Sequence, residues 1–191
     1  MKNEVKKAAV LIPFMIKDNK LHLVFTLRNQ NLSYHGGQIC FPGGRQEEGE
    51  LPIQTALREA EEEIGLNREL VEIVAELQEE MAYTSNYLIK PFVALIKEDV
   101  NFKVNEREVK EIIVLPLEVF LSLPLKVETS ITRGREISYP VYEWKGYKIW
   151  GATARIVSKL LERKDVLDEL NRRTHVHIGR NMESNRERGS A

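Results

Sequence analysis

Apolar and polar positions follow two different periods along this chain. Residues 8–16 and 21–27 are dense in Val, Ile, Leu and Phe, and Lys17-Asp18-Asn19-Lys20 separates them, which predicts a β-hairpin. From Arg28 to Gly44 the periodicity disappears and Gly, Asn and His accumulate. A loop of that length inside a compact domain is usually functional. At Pro52 the period becomes helical: at about 100° per residue, Ile53, Ala56, Leu57, Ala60 and Ile64 form one stripe. Pro52 suits the first turn and Gly65 stops the helix. Strand-like stretches return at 70–77 and 87–96, where Pro91 predicts an edge position or a bulge. A charged connector, 105–110, leads into an apolar strand at 112–115, and Pro116 opens a short helix reaching Leu121. Residues 137–144 and 147–150 predict a hairpin around Lys145-Gly146. Residues 152–170 predict one amphipathic helix with Ile156, Leu160 and Leu161 inside. Strands and helices interleave through hairpins and longer crossovers, so the expected class is α/β, with a mixed sheet and a helix on each face.

Composition narrows this picture. At 191 residues the chain suits one domain, expected over 1–172, followed by a polar, locally basic tail over 173–191 that frays or docks on a partner. The formal net charge of -1 gives no bulk electrostatic case for nucleic acid or an anionic membrane surface. No apolar stretch approaches the ~20 residues needed to cross a bilayer. Cys40 is the only cysteine, which excludes an intrachain disulfide and points to the cytoplasm. His175 and His177 alternate as strand residues do and have no third ligand nearby in sequence, so they are not read as a metal site. Tyr147 and Trp150 are read as core aromatics rather than as stacking partners for adenine.

The candidate chemistry lies on the first helix. Residues three and four apart are helical neighbours, so Glu59, Glu62 and Glu63 gather on one flank with Arg58 as the local cation. Such a run can be a solvated face. It is also a hard oxygen cluster suited to Mg²⁺ or Mn²⁺.

Read letter by letter, Gly44, Glu50, Arg58, Glu59, Ala60, Glu62, Glu63, Gly65 and Leu66 fall at the spacing of the Nudix box, which this stretch resembles. Only Ala60 departs, being smaller than the aliphatic residue usual there. The preceding segment, with Thr26, Arg28, His35, Gly37, Gln38 and Phe41-Pro42-Gly43-Gly44, is similar to the coenzyme A pyrophosphatase branch of that superfamily, and the similarity extends to about Leu161. One position differs: the branch has a second Arg where this chain has Ser33.

The resemblance implies a Nudix-type α/β/α sandwich and metal-dependent hydrolysis of a diphosphate, that of coenzyme A or its derivatives. Alternatives are another nucleoside diphosphate derivative, such as ADP-ribose or a dinucleoside polyphosphate, and a non-catalytic nucleotide sensor. It implies Mg²⁺ or Mn²⁺ held by Glu62, Glu63 and the Gly43 carbonyl, with Glu59 as a further ligand or as the base. Arg58 orients a carboxylate, Glu62 being its simplest partner, and Glu50 ties loop to helix. Glu108 is the candidate downstream carboxylate, ahead of Glu106 and Glu111. Arg28, His35, Gln38 and Gly44 are the candidate substrate contacts. The expected partner is a small nucleotide, not nucleic acid or a membrane, with a homodimer left open.

Overall fold

The computed structural model describes residues 4–31, 36–124, 126–132 and 134–188, with 180–188 as helical backbone alone. Ser33 and His35 lie outside the described residues. The hairpin forms as β1 (Lys6–Lys17) and β2 (Lys20–Arg28), with Asp18 and Asn19 at positive φ in the turn. Asn and Asp tolerate that conformation best among residues with a side chain. The main sheet also holds β3 (Ile39–Cys40), β4 (Gly43–Arg45), β5 (Val71–Glu76), β6 (Glu80–Ala82), β7 (Tyr87–Ile96) and β8 (Val109–Pro116). Its order is β3–β2–β1–β7–β5, with β8 on β2, β4 on β1 and β6 on β7. The β1–β7 pair is parallel and the others are antiparallel, so the sheet is mixed.

One irregularity in this sheet creates the site. β1 and β2 pair only near their turn, from Phe14↔Leu23 to Lys17↔Lys20. Beyond that they part: β2 takes β3 (Thr26↔Cys40, Leu27↔Ile39) and β1 takes β4 (Ala8↔Arg45 to Val10↔Gly43). The Phe41-Pro42-Gly43-Gly44 turn therefore fills a fork between two central strands. A Cβ on Gly43 would overlap the Ala9 carbonyl and Val10, so only glycine admits this approach.

Both faces of the sheet are apolar because both are covered. Ala9, Leu11, Val24, Phe92, Ala94 and Ile96 pack against Ala56, Ala60 and Ile64 of α1 (Pro52–Ile64). The alternate positions Ile12, Phe14, Leu23, Phe25, Val93 and Leu95 belong to the second core. There they join Ile156, Val157 and Leu160 of α3 (Gly151–Glu162) and Val166 and Leu170 of α4 (Lys164–Arg188). The chain passes from β8 through α2 (Leu117–Ser122) to a small antiparallel sheet, β9 (Lys126–Thr132), β10 (Arg135–Trp144) and β11 (Tyr147–Ile149). The expected α/β class, with a helix on each face, holds.

Several local expectations change. The predicted helix 152–170 breaks at Arg163, whose ψ of 74° leaves the helical range and whose side chain grips Asp165 at 2.8 and 2.6 Å. His175 and His177 are not strand residues. They lie in α4, which runs through the polar segment, and His175 Nδ1 is 2.7 Å from the Asn171 carbonyl one turn back. Pro91 is not at an edge: it faces Val10 in the parallel pair. Its carbonyl accepts the Leu77 N–H at 3.1 Å, so its N points at the break between β5 and β6, where no ladder bond is required. Trp150 is half-buried on a cleft wall rather than in the core, while Tyr147 packs against the core as expected.

Candidate active site

Helix α1 starts from an anchored acid. The Glu50 carboxylate accepts the Thr55 hydroxyl at 2.7 Å, the Glu47 N–H at 3.1 Å, and Arg58 Nε and Nη2 at 2.9 and 3.1 Å. Two parallel bonds from a guanidinium make a strong, orienting pair. They hold the Glu50 carboxyl at about 2, with Arg58 the leading cause. Arg58 also donates to the Arg45 carbonyl at 3.2 Å, to Glu59 at 2.8 Å and to Glu62 at 3.3 Å. The expected Glu62 partner is thus its longest carboxylate contact, because Glu50 can meet the guanidinium with both oxygens. Glu50 does tie the loop to the helix.

The next carboxylates on the same helix sit in the opposite environment. The Glu63 side chain is 1% exposed. It accepts Arg28 Nη1 at 3.3 Å and the Gly43 N–H at 3.1 Å. Burial nevertheless pushes it up to about 7, against Arg28 and the Gly43 N–H and with help from the charges of Glu59 and Glu108. Glu59 is also raised, first by burial and then by Glu62 and Glu108, with Arg58 opposing. A Cβ on Gly44 would overlap the Glu59 carboxyl, so the glycine turn lies directly against that acid. The turn carrying Glu108 is pinned to both neighbours: Asn105 N–H donates to the Glu63 carbonyl at 2.9 Å, and Asn29 N–H to the Glu108 carbonyl at 2.8 Å.

These groups open on a cleft of about 1030 Å³. The fold brings Glu59, Glu63 and Glu108 to it, with Arg28, Gln38, Gly43 and Gly44. Glu62 does not line it: its side chain is 54% exposed beside Arg58. Glu106 and Glu111 are also absent from the lining, and Glu111 accepts the Tyr147 hydroxyl at 3.3 Å. Sequence reasoning missed Lys7, Arg45, Tyr139 and Arg155 as lining residues, and placed Trp150 in the core. Arg45 directly follows the glycine turn, which was a usable signal; the others are brought in by pairing between distant segments. Cys40 also lines the cleft, but burial pushes its thiol up to about 11, which leaves it a poor nucleophile.

The donor set suits a hard divalent cation. Carboxylate oxygens line one wall, and burial with mutual repulsion makes ionising Glu59 and Glu63 costly, a cost that a nearby 2+ charge offsets. Among the described residues, no three acidic, histidine or cysteine side chains are grouped so as to hold an ion, and Arg58 and Arg28 pair with the carboxylates of Glu59, Glu62 and Glu63. No described helix is long and apolar enough to cross a membrane.

Comparison with known proteins agrees with the box. Residues 5–139 match the NUDIX domain. The chain is 34% identical over 158 residues to the peroxisomal coenzyme A diphosphatase NUDT7 of Mus musculus, covering 78% of this chain and 66% of that protein. It is also 34% identical over 162 residues to the uncharacterized Nudix hydrolase NudL of Yersinia enterocolitica, covering 83% of this chain and 82% of that one. A MutT/nudix family protein from Enterococcus faecalis superposes with a TM-score of 0.59 at 16% identity, covering 88% of this chain and 64% of that one, a likeness of fold. The chain therefore belongs to the Nudix family of hydrolases.

Proposed function

We propose that this cleft hydrolyses the diphosphate of coenzyme A or its derivatives to 3′-phosphoadenosine 5′-phosphate and (acyl)phosphopantetheine, with Mg²⁺ or Mn²⁺ bound. The observation that carries the reading is the pair of mutually destabilised carboxylates, half-buried Glu59 and buried Glu63, facing a cleft that also holds Arg28. Arg28 has one buried donor to spare: its Nε finds no partner among the described residues. An unsatisfied buried donor is costly, and a phosphate oxygen is a natural acceptor for it. The mouse relative carries the name of a coenzyme A diphosphatase, which favours this substrate over other nucleotide diphosphates.

Glu59, Glu63 and the Gly43 carbonyl would hold the cation, with Glu108 completing the set. Glu62 is tied to Arg58 by an exposed contact of the kind worth about 0–1 kcal/mol, so it can join them at little cost. When bound, the cation neutralises phosphate charge and acidifies a water. The chain's own residues then position the reactants. Arg28 and Gln38 orient the diphosphate, Gly43 and Gly44 let it approach the backbone, and a site carboxylate takes the proton as water oxygen attacks phosphorus and the bridging P–O bond breaks.

Steady-state kinetics on a nucleotide panel with Mg²⁺ and with Mn²⁺ test this. The expected result is the highest kcat/KM on coenzyme A or an acyl derivative. A higher value on ADP-ribose or a dinucleoside polyphosphate would replace the substrate, and a wild type that binds nucleotides without turnover would replace the enzyme with a sensor.

A further inference from the structure

Five aromatic residues line the cleft: Phe41, which is buried and stacked on Phe25 with centroids 4.6 Å apart, and Tyr83, Tyr87, Tyr139 and Trp150. Two of them already carry a cation on the ring: the Arg155 guanidinium lies 5.3 Å from the Tyr83 centroid and Lys6 Nζ lies 5.7 Å from that of Tyr87. Arg155 is fixed there by Glu80 at 2.6 Å and the Met81 carbonyl at 2.8 Å. Tyr139 and Trp150 instead meet each other, with centroids 5.9 Å apart and planes tilted by 45°, so neither ring covers the whole face of the other. Both are half-buried.

Trp150 does not cap its helix. It is the residue before the first turn of α3, where Ser, Thr, Asp or Asn would accept a backbone N–H, and it makes no such bond. Its place in the cleft is set by its neighbours. Thr153, one helical turn or ~5 Å further along α3, lines the same cleft as Cys40, Arg28 and Glu63. The aromatic pair thus opens on the same cleft as the reactive groups. A flat, half-buried indole face suits a planar ring better than a flexible chain, because the whole contact forms without freezing rotors.

We propose that Trp150, backed by Tyr139, is the stacking platform for the purine of the nucleotide substrate and sets the preference for a base-bearing diphosphate. This rests on the nucleotide reading of the cleft. Stacking of one base on one aromatic ring corresponds to about a tenfold to hundredfold effect. Trp150→Ala raises KM for coenzyme A by that factor with kcat nearly kept, and Trp150→Phe restores most of the affinity.

The direct experiment is a fluorescence titration in a Trp144→Phe background, which leaves Trp150 as the only indole, using adenosine 3′,5′-bisphosphate and, separately, phosphopantetheine. Quenching by the bisphosphate alone is expected. Quenching by phosphopantetheine alone would place the other half of the substrate on the ring, and quenching by neither, or an unchanged KM in Trp150→Ala, would remove the platform. Failure of the coenzyme A assignment is seen separately, in wild-type turnover on the panel: an enzyme that prefers ADP-ribose still gives quenching by an adenine nucleotide if the platform is real.

Discussion

Glu50 and Glu63 bracket the same helix, Glu50 half-buried at its start and Glu63 buried at its end, and they behave in opposite ways. Glu50 is met by the Arg58 fork, the Thr55 hydroxyl and a backbone N–H, and its carboxyl is held at about 2. Glu63 has one longer contact to Arg28 and one backbone N–H, shares its surroundings with Glu59 and Glu108, and sits at about 7. The difference lies first in burial, which raises Glu63, and then in how many donors meet each charge. Where the donors suffice, the acid is a structural anchor. Where they fall short, it is left needing positive charge, and it faces the cleft.

The largest effect follows from removing the unsatisfied side of that comparison. Glu63→Gln should lower kcat/KM by about 10²–10³-fold, the range for losing one group that stabilises developing charge. In metal-free protein at neutral pH the same change should raise the melting temperature, since the buried charge disappears. Thermal melts and steady-state assays on one preparation read both.

Breaking the satisfied side should do the reverse. Arg58→Ala strands Glu50 and Glu59 together and should cost about 3 kcal/mol in denaturant unfolding, the lower end for breaking a buried pair, since 22% of the Arg58 side chain is exposed. Arg58→Lys should recover little of it, because an ammonium cannot supply the fork.

pH separates the two acids without mutation. Glu50 has a lowered folded pKa, so its stabilisation is present above about 4.5 and is lost as pH falls toward about 2. Glu63 has a raised folded pKa, so the folded protein holds that proton longer than the unfolded chain does. Metal-free protein should therefore lose stability as pH rises from about 4.5 to about 7, by on the order of 3 kcal/mol. Mg²⁺ should flatten that second slope and leave the acid limb unchanged. A second slope that survives saturating Mg²⁺ would place Glu63 away from the cation.

The smallest change tests the turn between them. Gly44→Ala should displace the Glu59 carboxyl and lower kcat/KM about tenfold to a hundredfold, as for groups that orient a metal ligand, with little loss of stability.

The sequence made one side of this comparison more legible than the other. The stripe of Ile53, Ala56, Ala60 and Ile64 follows from helical spacing alone and is as expected; of the flank, Glu59 and Glu63 reach the cleft and Glu62 does not. The fork that β3 and β4 fill was not visible, because strands of two and three residues carry no period. The pairing of Arg58 with Glu50 was missed because the partners are eight positions apart across a helix start, where spacing rules do not reach. β9 is not predicted, since KVETSIT alternates weakly, and Trp150 is expected in the core because an aromatic beside a strand end is ordinarily buried.

Mn²⁺ binding measured by calorimetry on wild type, Glu50→Gln and the Glu59→Gln/Glu63→Gln double variant tests the central claim most directly. Binding should persist in Glu50→Gln, at reduced stability, and vanish in the double variant. A double variant that binds Mn²⁺ as wild type does would contradict the account.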